Sequence, residues 1–149
     1  MLKLTHTILA VDDEPANLRM LERLLRKKFL ILKAANGEEA LQILERQEVS
    51  MIMTDERMPG ISGIELLTKC KTLQPDAVRM VVTANTDSET MINAIRAAGA
   101  VRVIIKPWDP DKVMEMVDSA LEKYESMIEN KKAMTEMRRA LSRLDKVAK

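Results

Sequence analysis

Five polar side chains in this sequence stand where short apolar runs end. Asp12 and Asp13 follow the run Thr7–Val11, Asp55 follows Val49–Thr54, Thr83 closes Arg79–Thr83, and Lys106 follows Val101–Ile105. If those runs are parallel strands of one sheet, their C-terminal ends open on a single edge, where ligands bind at the point of strand-order reversal. In the order 2-1-3-4-5, frequent among such sheets, the first and third strands are neighbours, so three carboxylates meet. Like charges about 4 Å apart repel by about 4 kcal/mol at an effective dielectric of about 20. Such a group either raises a carboxyl pKa or recruits a cation. Oxygen-only ligands with open positions suit Mg²⁺, which keeps several waters and binds through one or two carboxylates plus a phosphate. A carboxylate beside that ion can attack phosphorus and become an acyl phosphate. The transferring oxygens then call for a cation, which Lys106 offers, and a hydrogen-bond donor, which the Thr83 hydroxyl offers. Taken singly, each residue has an ordinary explanation: Asp12 or Asp13 as a helix cap before Pro15, Asp55 as a turn residue before Met58-Pro59-Gly60, Thr83 as a strand end, Lys106 as a surface lysine before Pro107. Their common edge carries the chemistry.

Positioning them requires strand and helix to alternate five times. The five runs are apolar almost throughout, as strands buried on both faces are. Between them Leu18, Leu21, Leu24 and Leu25 share a helical face, as do Ala40, Leu41 and Leu44, then Ile64, Leu67 and Cys70, then Met91, Ile92, Ile95 and Ala98. Ser62 with Glu65 and Thr86 with Glu89 fit capping boxes, Asp109-Pro110 marks a helix start, and Gly99 a helix stop. The expected fold is a doubly wound α/β domain with a five-stranded parallel sheet. No proline or glycine follows Pro110, and Met134, Met137, Leu141, Leu144 and Ala148 continue at heptad spacing, with Lys131 interrupting the seam. A helix from Asp111 to Val147 reaches about 55 Å, past a domain about 30 Å across. The chain is therefore divided into a domain over 1–124 and a helical, coiled-coil extension over 125–149, the latter carrying seven bases against four acids.

Composition narrows the class. Among 149 residues the formal charge is +1, with one cysteine, one histidine and three aromatics. That excludes a disulfide framework, a Cys/His zinc site and a base-stacking surface. No apolar run approaches a membrane span and the first residues form no signal peptide, so a cytoplasmic protein without membrane insertion or direct nucleic-acid contact is expected.

The segments Ile8-Leu9-Ala10-Val11-Asp12-Asp13-Glu14-Pro15, Thr54-Asp55-Glu56-Arg57-Met58-Pro59-Gly60, Val81-Val82-Thr83-Ala84 and Lys106-Pro107-Trp108 resemble the receiver domain of two-component response regulators, over roughly Thr7 to Tyr124. The resemblance implies a flavodoxin-like fold that accepts a phosphoryl group from a sensor histidine kinase or phosphotransfer protein. It implies Asp55 as phosphoacceptor, with Mg²⁺ bound directly by Asp13, through water by Asp12, and by the backbone carbonyl of Arg57. It implies Lys106 as phosphoryl partner, Thr83 as switch hydroxyl, and a cis Lys106–Pro107 bond. Arg57 and Asn85 would flank the path of the water that removes the group. Val103 stands where the family usually carries Tyr or Phe. A valine does not swing as a ring does, so the signal is expected to run through the fourth helix, fifth strand and last helix. Trp108 is expected to pack over the start of that last helix. The helix itself is expected to dimerise, to dock a downstream effector protein, or to begin a linker.

Two other classes compete. A Mg²⁺-dependent phosphohydrolase with an aspartyl nucleophile would want a second acid two residues after Asp55, where Arg57 stands. A flavin site would want a hydroxyl-rich phosphate loop after the first strand, where Asp12-Asp13-Glu14 repels phosphate. The expected activity is therefore self-phosphorylation and self-dephosphorylation only, not enzymatic turnover of outside substrates.

Overall fold

Strands that are apolar on both sides must lie between two layers. The computed structural model, which describes residues 6–84, 89–99 and 101–148, arranges them so. The order is β1 (Thr7–Val11), α1 (Pro15–Leu25), β2 (Leu30–Ala34), α2 (Gly37–Arg46), β3 (Met51–Asp55), α3 (Gly63–Leu73), β4 (Val78–Thr83), α4 (Glu89–Ala98), β5 (Val101–Ile105) and α5 (Pro110–Ala148). All pairings are parallel and the strand order is β2-β1-β3-β4-β5, the doubly wound, flavodoxin-like sheet that the sequence predicts. The period-2 alternation of strands splits the core. Ile8, Ala10, Met51, Met53, Met80 and Val82 pack against Leu21, Leu25, Val113 and Val117 of α1 and α5. Leu9, Val11, Ile52 and Val81 pack against Leu44, Leu67, Cys70 and Ala98 of α2–α4.

The helix ends follow local chemistry. The Ser62 side chain accepts from the Glu65 amide at 3.2 Å, and Asp109 Oδ1 accepts from the Asp111 amide at 3.0 Å beside Pro110. Asn36, not singled out from the sequence, caps α2 by accepting from the Glu39 amide at 2.8 Å. Gly99 takes φ +72° after α4, a conformation that side chains disfavour, as its position predicts. Thr86, Asn85 and the side chain of Met91 lie outside the described residues.

Four expectations shift. The second strand starts at Leu30 because the Phe29 amide still bonds the Leu25 carbonyl, at 3.0 Å, closing α1. The third starts at Met51 because the Val49 amide is taken by Gln74 Oε1 at 2.9 Å; the fourth starts one residue early, at Val78. Ile92 is 40% exposed where a buried stripe was expected. At about 100° per residue it lies about 120° around the helix from buried Ala98.

The last helix has 39 residues, about 58 Å at 1.5 Å per residue. Val113, Val117, Ala120 and Leu121 are buried, whereas positions 129–147 are exposed throughout. It begins beside the C-terminal edge of the sheet and runs back antiparallel to the strands. It passes the opposite edge where Glu125 meets His6 and Lys131 meets Asp76. Among the described residues no helix is long and apolar enough to cross a membrane.

Candidate functional site

The C-terminal edge collects the acids. Asp12 leaves β1 with its amide on the Ala34 carbonyl at 3.2 Å. Its buried carboxylate accepts from the Glu14 amide at 2.9 Å on one oxygen and from Asn17 Nδ2 at 3.1 Å on the other. Asp13 is exposed and Asp55, the last residue of β3, is half-buried. Carboxylate oxygens of Asp12, Asp13 and Asp55 lie within 4.8 Å of one another. The Lys106 ammonium donates to Asp55 Oδ1 at 3.0 Å. Its backbone is set by the Lys106 amide on the Thr83 carbonyl at 2.9 Å, and the Lys106–Pro107 bond is cis. Thr83 is buried at the end of β4, one strand from Asp55. Thus Asp12, Asp13, Asp55, Thr83 and Lys106 all stand on one edge of the sheet. Exposed Arg57 lies two residues beyond Asp55.

Burial and, after it, neighbouring like charges favour the neutral form of two carboxyls here. Burial is the main force holding the Asp12 carboxyl above its ordinary range; the charge of Asp55 adds to it, against the opposing hydrogen bonds from Glu14 and Asn17. Glu56 is also raised, chiefly by burial and then by Asp55 and Glu65, against the hydrogen bond from Ile64. An oxygen-only set with one buried and one exposed acid suits a small hard divalent cation that keeps part of its water. Mg²⁺ fits this set better than a thiolate- or imidazole-seeking ion.

Three residues shape the site without having been predicted. Asn17 fixes Asp12 from the first turn of α1. Glu56 Oε2 accepts from the Ile64 amide at 2.9 Å, and its carbonyl accepts from the Gly63 amide at 3.0 Å, tying α3 to the end of β3. Gly63 has no room for a side chain: a Cβ there would stand 2.3 Å from the Asp55 carbonyl oxygen. The available signal was a glycine directly after the Ser62 cap, where helix propensity alone disfavours it. Trp108 is partly buried and lines an apolar groove of 270 Å³ with Met20, Leu21, Leu24 and Pro110, over the start of α5 as expected. Val103 packs half-buried on the α2–α4 face.

Known proteins share the sequence pattern and the fold. The family model described as Response regulator receiver domain matches residues 8–118. The hydrogenase transcriptional regulatory protein HoxA of Cupriavidus necator is 40% identical over 115 residues, which take in 77% of this chain and 24% of that protein. The chain thus spans about a quarter of the length of the curated relatives it matches. Among solved structures, an adenylate cyclase from Rhodopirellula baltica superposes with a TM-score of 0.82 at 29% identity, covering 89% of this chain and 98% of that one. The signal receiver domain of an HD domain-containing protein from Pseudomonas fluorescens Pf-5 superposes with a TM-score of 0.79 at 27% identity, covering 87% and 96%.

Proposed function

Because the chain belongs to the response regulator receiver domain family of two-component systems, we propose that Asp55 accepts a phosphoryl group from a sensor histidine kinase or phosphotransfer protein. The observation that carries this reading is the Lys106 ammonium 3.0 Å from Asp55, within the pocket that holds Asp12 and Asp13. Asp12, Asp13 and Asp55, with the backbone carbonyl of Arg57, would hold Mg²⁺, which when bound supplies positive charge for the transferring oxygens. An Asp55 carboxylate oxygen forms the new bond to phosphorus, the P–N bond of the donor phosphohistidine breaks, and the imidazole departs to take up a proton. Lys106 balances charge on the incoming group, and the Thr83 hydroxyl is placed to turn toward it. Asp12, held by Asn17 and the Glu14 amide, keeps its carboxylate aimed into the pocket.

The body over 1–124 is the receiver, and 125–149 is its helical extension. With Val103 in place of a ring, the signal leaves through α4, β5 and α5. The extension, with Met134, Met137, Leu141 and Leu144 uncovered, pairs with a second copy or meets a downstream effector. Signalling and not turnover is the activity, since exposed Arg57 offers no acid to a second phosphoryl step.

The test is incubation with a purified histidine kinase or a small-molecule phosphodonor, with and without Mg²⁺, followed by intact-mass measurement. One acid-labile phosphoryl group per chain is expected, absent from Asp55→Asn and from protein treated with a chelator. Retention of the group by Asp55→Asn would overturn the assignment. Repeated release of phosphate from outside esters would favour a phosphohydrolase instead.

A further inference from the structure

We propose that His6, Ser50, Tyr124 and Glu125 form a polar clasp at the edge of the sheet opposite the acids, and that this clasp sets the direction in which the exposed half of α5 leaves the body. His6 is the one histidine of the chain. Both sheet-side members are fixed by the backbone: the His6 carbonyl accepts from the Leu30 amide at 3.0 Å, and the Ser50 amide donates to the Thr7 carbonyl at 2.9 Å. From that base the buried imidazole reaches two ways. Nδ1 lies 3.1 Å from Ser50 Oγ and Nε2 lies 2.5 Å from Glu125 Oε1. Its ring also meets Tyr124 edge-on, with centroids 5.8 Å apart and planes at 87°.

Ser50, His6 and Glu125 satisfy one another in sequence. The Ser50 hydroxyl donates to Nδ1, Nε2–H donates to the Glu125 carboxylate, and the Tyr124 ring packs edge-on against the imidazole between them. Each donor has one acceptor, and such a network is directional in a way that apolar packing is not. Its position gives it leverage. Burial on α5 ends at Leu121, and from position 129 onward the helix is exposed. Glu125 to Val147 spans about 33 Å, so a tilt of about 10° at the clasp moves the tip by about 6 Å. Lys131 pairs with Asp76 on the same edge; the lysine is exposed and the aspartate partly so, so that pair adds little. His6 and Glu125 are therefore positioning residues for the extension, independent of the chemistry at Asp55.

The experiment measures a distance in the full chain. Spin labels are placed at Gln42→Cys in α2 and Arg139→Cys on the extension, and labelled protein is diluted into excess unlabelled chain so that only distances within one chain are read. Cys70 is buried, with its thiol pushed up to about 11 by that burial, and does not take the label. One narrow distance distribution is expected, about twofold broader in His6→Phe and in Glu125→Ala, no broader in the double variant than in either single one. His6→Gln, which keeps an amide donor, is expected to recover part of the narrowing. Phosphoryl acceptance at Asp55 is expected to stay unchanged in Glu125→Ala, so failure of the clasp and failure of the receiver reading are told apart. An unaltered distribution in Glu125→Ala, which removes only an exposed helix side chain, would overturn the proposal. So would a lowered Tm in His6→Phe with the distance distribution intact, since that marks His6 as a packing residue only.

Discussion

Asp12 sits in surroundings that favour its neutral form, and this has a sign. A carboxyl raised in the folded state binds more protons there than in the unfolded chain. Its contribution is thus most favourable in the ordinary carboxylate range and below, and is lost as pH rises through the raised value; Glu56 acts in the same sense. Metal-free protein is expected to melt lower at pH 8 than at pH 5. Asp12→Asn is expected to gain about 1 kcal/mol at neutral pH, a few degrees in Tm, while losing stabilisation by added Mg²⁺. Thermal melts with chelator or Mg²⁺ at the two pH values check both. Arg57 is exposed and free of the core, so Arg57→Ala is expected to change the half-life of the Asp55 phosphoryl group several-fold with Tm nearly unmoved; timed acid quenching measures it. The five side chains on the acid edge were legible in the sequence because each directly follows or closes an apolar run. Asn17 and Glu56 were not, because their partners are a neighbouring carboxylate and a backbone amide that meet them only once the turns have folded.

At the scale of elements, α3 is where fold and site constrain each other. Its first residue, Gly63, presses on the Asp55 carbonyl, so Gly63→Ala must push the helix off the end of β3. A loss of about 1–3 kcal/mol is expected, the usual cost of overpacking, with slower phosphoryl acceptance, checked by urea unfolding and by labelling rate. The five strands and five helices could be read from periodicity because burial on both faces leaves little room for polar interruption. Their ends could not be read to the residue. Gln74 captures the Val49 amide from 25 positions away, a tertiary choice, and Phe29 closes α1 on the Leu25 carbonyl rather than opening β2, a local one that apolar periodicity does not report. Ile92 shows the same limit: its helix face is set by which residues reach the sheet, and it falls at the rim.

For the whole molecule, the exposed part of α5 contributes almost nothing to the body beneath it. Ending the chain after Asn130 is expected to leave unfolding within about 0.5 kcal/mol of the full chain and to abolish any concentration-dependent association, checked by chemical denaturation and light scattering. The length of this helix was legible because no breaker follows Pro110. The clasp at its base was not, since His6 and Glu125 are 119 positions apart. The antiparallel course of α5 has one more result. It starts beside Lys106 and Trp108 and finishes about 58 Å away, past the far side of the sheet. On the proposed reading, a donor docked over the acids and a protein grasping the tail would occupy opposite poles without colliding, so the molecule could be written to while it is still being read.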